Sequence, residues 1–236
     1  MASRGVVKGR DSKDELSRPV RHRKYLYRFL IICEDENTEP AYFRAFKQQI
    51  PDETIYLLEI GTGLDPLGVV QRAVKERDDL ALESRKTVDE VWVVFDKDDA
   101  DQNDTKIKRF EQAFSLAEAE QFKLAYSNEV FELWLLLHLE EVDPNTALPR
   151  KEIYERLQKK IGSINGHEGF EYKHGNASIL KKIADLGDQA AAMKRAVALQ
   201  KHHGSKAPIS SNPVTFVYRL VKQLNELIAW YSYKED

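Results

Sequence analysis

Glu34 ends one apolar run, in "ICEDENTEPAYF", and Asp96 and Asp98 end another, in "VWVVFDKDDADQND". In the second stretch five aspartates fall within the nine positions that follow five apolar residues. Carboxylates brought this close repel by several kcal/mol at short range, even in a moderately polarisable site. A positive partner is therefore expected among them, and Lys97 is the sole basic residue of residues 91–104. Hard divalent cations prefer carboxylate oxygens, and Mg²⁺ is commonly held by one or two of them together with substrate phosphates. Glu34, Asp96 and Asp98 are the candidate ligands. The neighbouring acids have plainer readings. Asp99, Asp101 and Asp104 suit a solvated loop, with Asp104 as a cap of the next helix. Asp35 and Glu36 suit surface charges, and Glu39 a helix start, where negative charge is favourable.

These acids need elements that end together. Tyr25–Cys33, Ile55–Ile60, Val91–Phe95 and Phe122–Tyr126 read as strands, apolar at nearly every central position. Between them Tyr42, Phe43, Phe46 and Ile50 share a helical face. So do Leu67, Val70 and Val74 after Pro66, and Phe110, Phe114 and Ala117 further on. Strands alternating with helices predict an α/β fold, a mostly parallel sheet covered on both faces, over residues 24–140. In such sheets functional groups gather where strands end, which brings Glu34 and Asp96 to one edge if their strands are neighbours. After residue 140 the strands stop. Residues 150–161 and 176–203 read as helices joined by a Gly-rich loop. Asn212-Pro213 is expected to open a last helix with an apolar stripe from Val214 to Tyr231. Residues 141–236 are thus a helical C-terminal region packed on the core, and residues 1–23 a basic flexible arm.

The chain has 236 residues and a net charge of -3, but its charge is unevenly spread. Residues 1–28 carry nine Lys/Arg against three Asp/Glu, a balance of +6. Residues 33–104 carry eight against nineteen, or -11, and residues 150–206 twelve against six, or +6. An acidic core between basic segments suits a metal site beside a polyanion. From charge counts alone a basic tail with a solvated helical face is the favoured reading. Lys173, Lys181, Lys182, Lys194 and Arg195 are the candidate nucleic-acid-binding residues, tracking phosphates. No apolar run approaches the roughly 20 residues of a membrane span, and no apolar core follows the basic start. The single Cys33 excludes an internal disulfide and a Cys-only zinc site. A cytoplasmic location is expected.

"SNEVFELWLLLHL" is apolar almost all round, so a buried helix is expected there. Glu132 and His138 interrupt it. A buried carboxylate is costly unless paired or bound, which makes Glu132 a fourth catalytic candidate; the plain reading is an outward salt bridge. His138 reads as a core histidine, and Ser127 and Asn128 as caps of that helix.

Glu34 at one strand end and Asp96-x-Asp98 at a later one resemble a Toprim domain, the fold of topoisomerases, primases and OLD-type nucleases. "CEDENTEPAYF", "DEVWVVFDKDD", "SNEVFELWLLLHL" and "NPVTFVYRLV" together resemble the RloB family across residues 33–222. The chain departs from the family pattern at Asp35, where Gly is usual, and at Glu129, where Pro is usual. The resemblance implies a Toprim-like core and metal-dependent cleavage of phosphodiesters in DNA or RNA, tRNA included. It makes Glu34 a metal ligand or general acid/base, and Asp96 and Asp98 ligands of Mg²⁺ or Mn²⁺. It also implies a role in bacterial anti-phage defence beside an ATPase subunit. Two other classes use the same residues. A phospho-receiver module would employ Glu34, Asp35, Asp96 and Ser127, but needs a fifth strand ending in Lys. A non-catalytic adaptor would keep the fold and bind the ATPase.

Overall fold

The computed structural model describes residues 24–233; the arm expected over residues 1–23 lies outside them. Strands β1 (Tyr27–Cys33), β2 (Ile55–Gly61), β3 (Glu90–Asp96) and β4 (Lys123–Ser127) form one sheet, ordered β2-β1-β3-β4, with every pair parallel. Helices α1 (Thr38–Arg44), α2 (Pro66–Ser84) and α3 (Asp104–Ala119) make the crossovers. Then follow α4 (Glu132–Leu137), α5 (Arg150–Gly162), α6 (Ser178–Leu186), α7 (Gln189–His203) and α8 (Val217–Ser232). This is an α/β fold with a helical C-terminal part. Among the described residues no helix is long and apolar enough to cross a membrane.

The strands read as unbroken apolar runs because successive side chains point to opposite, equally covered faces. Phe29, Ile31, Cys33, Trp92, Val94 and Ala125 belong to one apolar cluster. Leu30, Ile32, Val91, Val93, Phe95 and Tyr126 belong to the other, with α2 and α3. The first cluster continues through Phe43, Leu133, Ile153, Leu157, Ile183, Leu199 and Leu224. The helices after residue 140 therefore close the sheet's second face and share its core.

Several boundaries move, each for a local reason. β1 begins at Tyr27; Leu26 before it is exposed, and the Tyr25 ring packs on Tyr56 instead, 5.3 Å between centroids. The helix expected over residues 176–203 is two helices. Gly187 ends α6, and the Asp188 side chain caps α7 by accepting from the Ala191 amide. A side chain at Gly187 would meet the Ile183 carbonyl and His138. The last helix starts at Val217, not at Pro213. Residues 214–216 lie alongside β4 in antiparallel sense: Asn128 N donates to Val214 O (2.8 Å), Phe216 N donates to Tyr126 O (2.8 Å), and Ser127 bridges Thr215. Asn212 caps nothing; its side chain accepts from Leu148 N and donates to Glu129. The cap of α3 is Asn103, not Asp104, and accepts from Lys106 N.

The strand order fixes where a site forms. The chain moves from β1 to β2 on one side and returns to β3 on the other. The connections therefore part company between β1 and β3, and a crevice opens at the carboxyl ends of those two strands. Glu34 and Asp96 stand there.

Candidate active site

Glu34 directly follows β1, and its amide donates to Val94 O of β3 (2.9 Å). Its Oε2 accepts from the Asp96 amide (2.8 Å), so one carboxylate spans the crevice. Burial pushes the Glu34 carboxyl up to about 8 against the pull of that amide, and Asp98, Asp65 and Asp35 add to the rise. Asp96, the last residue of β3, accepts from the Phe131 amide through Oδ2 (2.9 Å). Its Oδ1 is closed off from solvent and has no hydrogen-bond partner among the described residues. Burial holds Asp96 well above the ordinary carboxylate range, reinforced by Glu39, Glu34, Asp98 and Glu132. The repulsion expected from the sequence is therefore present, and with burial it favours the protonated form of both carboxyls.

Glu39 belongs to this group, which the sequence reading missed by placing it at a solvated helix start. It is 1% exposed. Its Oε2 accepts from the Asp35 amide (3.1 Å), while its Oε1 is buried without a partner among the described residues. Burial first, then Glu34, raises its carboxyl strongly. The loop that carries it folds back tightly: Asp35 accepts from the Thr38 amide, and Gly61 at the end of β2 leaves room for the loop. A Cβ on Gly61 would lie 2.6 Å from Asp35 O and from Glu36 Cα. Asp35, where the family pattern has Gly, is thus a turn residue.

Asp98 sits at the mouth rather than the floor. Its backbone is left-handed (φ 45°), and its amide donates to Glu129 O (3.0 Å). Arg150, the first residue of α5, reaches across to it: Nη1 lies 3.4 Å from Asp98, and Nη2 donates to Asp99 (2.6 Å). Burial raises the Asp98 carboxyl despite that cation. Lys97 does not neutralise the acids. It is buried and spent on Asp101 (2.9 Å) and Glu129 (3.1 Å). Glu129 itself has φ 73°, a conformation that proline, fixed near −65°, cannot adopt. A cavity of about 210 Å³ opens beside Glu34 and Asp98, lined also by Asp65, Lys106, Arg109 and Phe110.

Glu132 is 4% exposed and salt-bridges no lysine among the described residues. Its Oε1 accepts from the Tyr172 hydroxyl (2.5 Å) and lies 3.7 Å from His174 Nδ1. Tyr172 stacks on Tyr154 of α5 (4.7 Å, 23°), and the Tyr154 hydroxyl meets His174 Nδ1 at 3.2 Å. The Glu132 carboxylate raises the His174 imidazole above its ordinary value, helped by the charges of Asp35 and Asp98. Burial and Glu132 also raise Tyr172. The loop before α6 thus brings Tyr172 and His174, and α5 brings Tyr154, to the Glu132 carboxylate. His138 is a core histidine, buried and bonded to Trp134 O through Nδ1. Ser127 and Asn128 do not cap α4; they hold Thr215 and Pro208 O.

The basic candidates are dispersed. Lys173 is exposed beside His174. On α6, Lys181 pairs with Asp185 (2.8 Å) and Lys182 meets His167 (2.9 Å). On α7, Lys194 is exposed, while Arg195 donates to Leu137 O (2.7 Å) and ties α7 to the end of α4. Among the described residues no ion pair or hydrogen bond links these five to the acids.

Two buried carboxylate oxygens without partners, beside acids with raised affinity for protons, are the donor chemistry of a hard-cation site. Among the described residues no group of three or more His, Cys, Asp or Glu side chains is placed to hold a metal ion by itself. A cation bound here would take one or two carboxylates and complete its shell with water and substrate oxygens.

Searches of curated proteins and of solved structures each return no match. The family model described as RloB-like protein matches residues 29–224, a span that includes the strand ends, Glu132, His174 and the strip alongside β4. The chain belongs to the RloB-like protein family.

Proposed function

We propose that this protein is a metal-dependent nuclease, hydrolysing phosphodiester bonds of DNA or RNA at the crevice between β1 and β3. The observation that carries the reading is the pair of buried oxygens, Asp96 Oδ1 and Glu39 Oε1, that have no hydrogen-bond partner among the described residues. Asp96, with Glu34 or Asp98, would hold Mg²⁺ or Mn²⁺ together with water and substrate oxygens. The ion's contribution is to polarise a phosphate and lower the pKa of an attacking water, which carboxylates alone do not do. The chain's own residues position it: Glu34 locks the Asp96 backbone, and the Phe131 amide orients the Asp96 carboxylate. The RloB resemblance adds the setting, anti-phage defence with an ATPase subunit.

The test has two parts. Asp96→Asn is expected to weaken Mn²⁺ binding markedly by calorimetry, and unchanged affinity removes Asp96 from the site. The parent is then incubated with mixed DNA and RNA, tRNA included, and Mg²⁺ or Mn²⁺, alone and with an ATPase subunit. Cation binding without cleavage in every mixture favours the adaptor.

A further inference from the structure

Outside the acids, the most organised polar constellation lies on their C-terminal side. His174 is held at one nitrogen only. Nδ1 faces the buried Glu132 carboxylate at 3.7 Å and the Tyr154 hydroxyl at 3.2 Å. The Tyr154 ring tilts over the imidazole, 5.6 Å between centroids, and is itself stacked on Tyr172. Nε2 makes no hydrogen bond among the described residues, and the side chain is 69% exposed. A histidine that is only structural usually satisfies both nitrogens. One whose Nδ1 meets a hydroxyl with a carboxylate close by, with Nε2 left outward, has the form of a proton-transfer group.

The groups facing it come from four segments: Glu132 of α4, Tyr154 of α5, and Asp35 and Asp98 of the loops after β1 and β3. All three carboxylates favour the imidazolium. Glu132 directly follows Phe131, whose amide donates to Asp96 Oδ2, so the chain of contacts sets the ring beside the crevice.

We infer that His174 is the general acid of the site, donating its Nε2 proton to the sugar oxygen that leaves phosphorus. Glu132 and Tyr154 are positioning residues for it. This rests on the nuclease reading. The step balances without a further reactant. Water oxygen bonds to phosphorus as the bond from phosphorus to the sugar oxygen breaks. That oxygen takes the proton from Nε2, and the proton lost by water passes to a carboxylate of the acid group or to solvent. The cycle closes when His174 takes a proton back from solvent.

The experiment uses oligonucleotides with a normal phosphodiester or with sulfur replacing the 3′ or the 5′ bridging oxygen, because a thiolate leaves without protonation. His174→Gln is expected to slow the normal substrate by about 10²–10⁴-fold. It is expected to slow the sulfur substrate with the matching leaving position by less than about tenfold. Equal slowing of all three substrates overturns the assignment and makes His174 a structural residue. Independently of cleavage, the His174 ring is titrated by NMR. Its pKa is expected above the ordinary value of about 6.5 and lower in Glu132→Gln. No change in that variant overturns the Glu132 role. If the parent cleaves no substrate with Mg²⁺ or Mn²⁺ while the titration behaves as described, the nuclease reading fails, and the general-acid assignment with it.

Discussion

Glu34, Asp96 and Glu39 share a thermodynamic sign. Each binds its proton more tightly in the folded chain than in the unfolded one. For Glu34 the contribution to stability is full below its ordinary value of 4.5 and is lost as pH rises through about 8. Without divalent cations the melting temperature is therefore expected to fall between pH 5 and 8.5. Glu34 alone contributes roughly a few kcal/mol, and about 2–4 °C accompanies each kcal/mol in a chain of this size. Saturating Mn²⁺ should offset the loss, because the ion takes the ionised form. A Glu34→Gln variant should show a flatter profile by differential scanning fluorimetry. Glu132 offers a second test, since its partners are hydroxyl and imidazole rather than lysine. Glu132→Gln keeps shape and most hydrogen bonding, so the melting temperature should stay close to the parent's while nuclease activity falls by about 10²–10⁴. Full activity in a folded variant excludes Glu132. At this scale Glu34, Asp96 and Asp98 stood out in the sequence because they follow apolar runs, and Glu132 because it interrupts one. No local pattern marked Glu39, Arg150 or Tyr172 as members of the group, and His174 stood out only as a neighbour of a helix start that could bind phosphate. An acid in a first helical turn has a sufficient explanation in the helix dipole. The other three reach the site only through folding across tens of residues.

Elements decide how tightly the site is held. The loop 34–37 lies against the bare backbone of Gly61, so a methyl group there must push either β2 or the loop. Gly61→Ala is expected to cost about 1–3 kcal/mol as overpacking and to lower Mn²⁺ affinity by displacing Glu34 and Glu39. If stability drops but affinity holds, the loop adapts without moving the acids. The turn at Glu129 makes a comparable demand. Its positive φ and its hold on Lys97 both disappear in Glu129→Pro. That variant should melt well below the parent, with Asp98 released from its backbone anchor. Strands were the most legible elements because two-sided burial leaves a continuous apolar run. The strip alongside β4 was not, because Asn-Pro at the head of an apolar stripe also has the form of a helix start. The division of residues 176–203 was visible only as Leu-Gly-Asp, a glycine stop followed by a cap, inside a stripe that otherwise continues.

For the whole molecule, the two basic segments raise the question of which cations are available to a polyanion. Arg195 is committed to the α4 terminus, so neutralising it should cost stability rather than nucleic-acid affinity. Neutralising Lys173, Lys181, Lys182 and Lys194 together should reduce the salt slope of nucleic-acid binding by about 0.7–0.9 for each phosphate they neutralise. A slope equal to the parent's would make this surface a solvated face. The charge counts indicated basic segments but not which side chains were already engaged, since partners such as Asp185 and His167 become neighbours only on folded helices and loops. The strip at residues 214–216 has a consequence in time. The outer edge of β4 is completed by Val214 and Phe216, and Thr215 holds Ser127 beside the strand that ends in Asp96. A ribosome adds residues from the N-terminus, and its exit tunnel hides the most recent ones. Every acid of the crevice has therefore emerged long before the strip that closes the sheet beside them. A translating polysome displays the acids in an unfinished fold, and the finished site arises only after the strip has left the tunnel. The sheet edge beside Asp96 is in this way among the last parts of the described fold to be completed during synthesis.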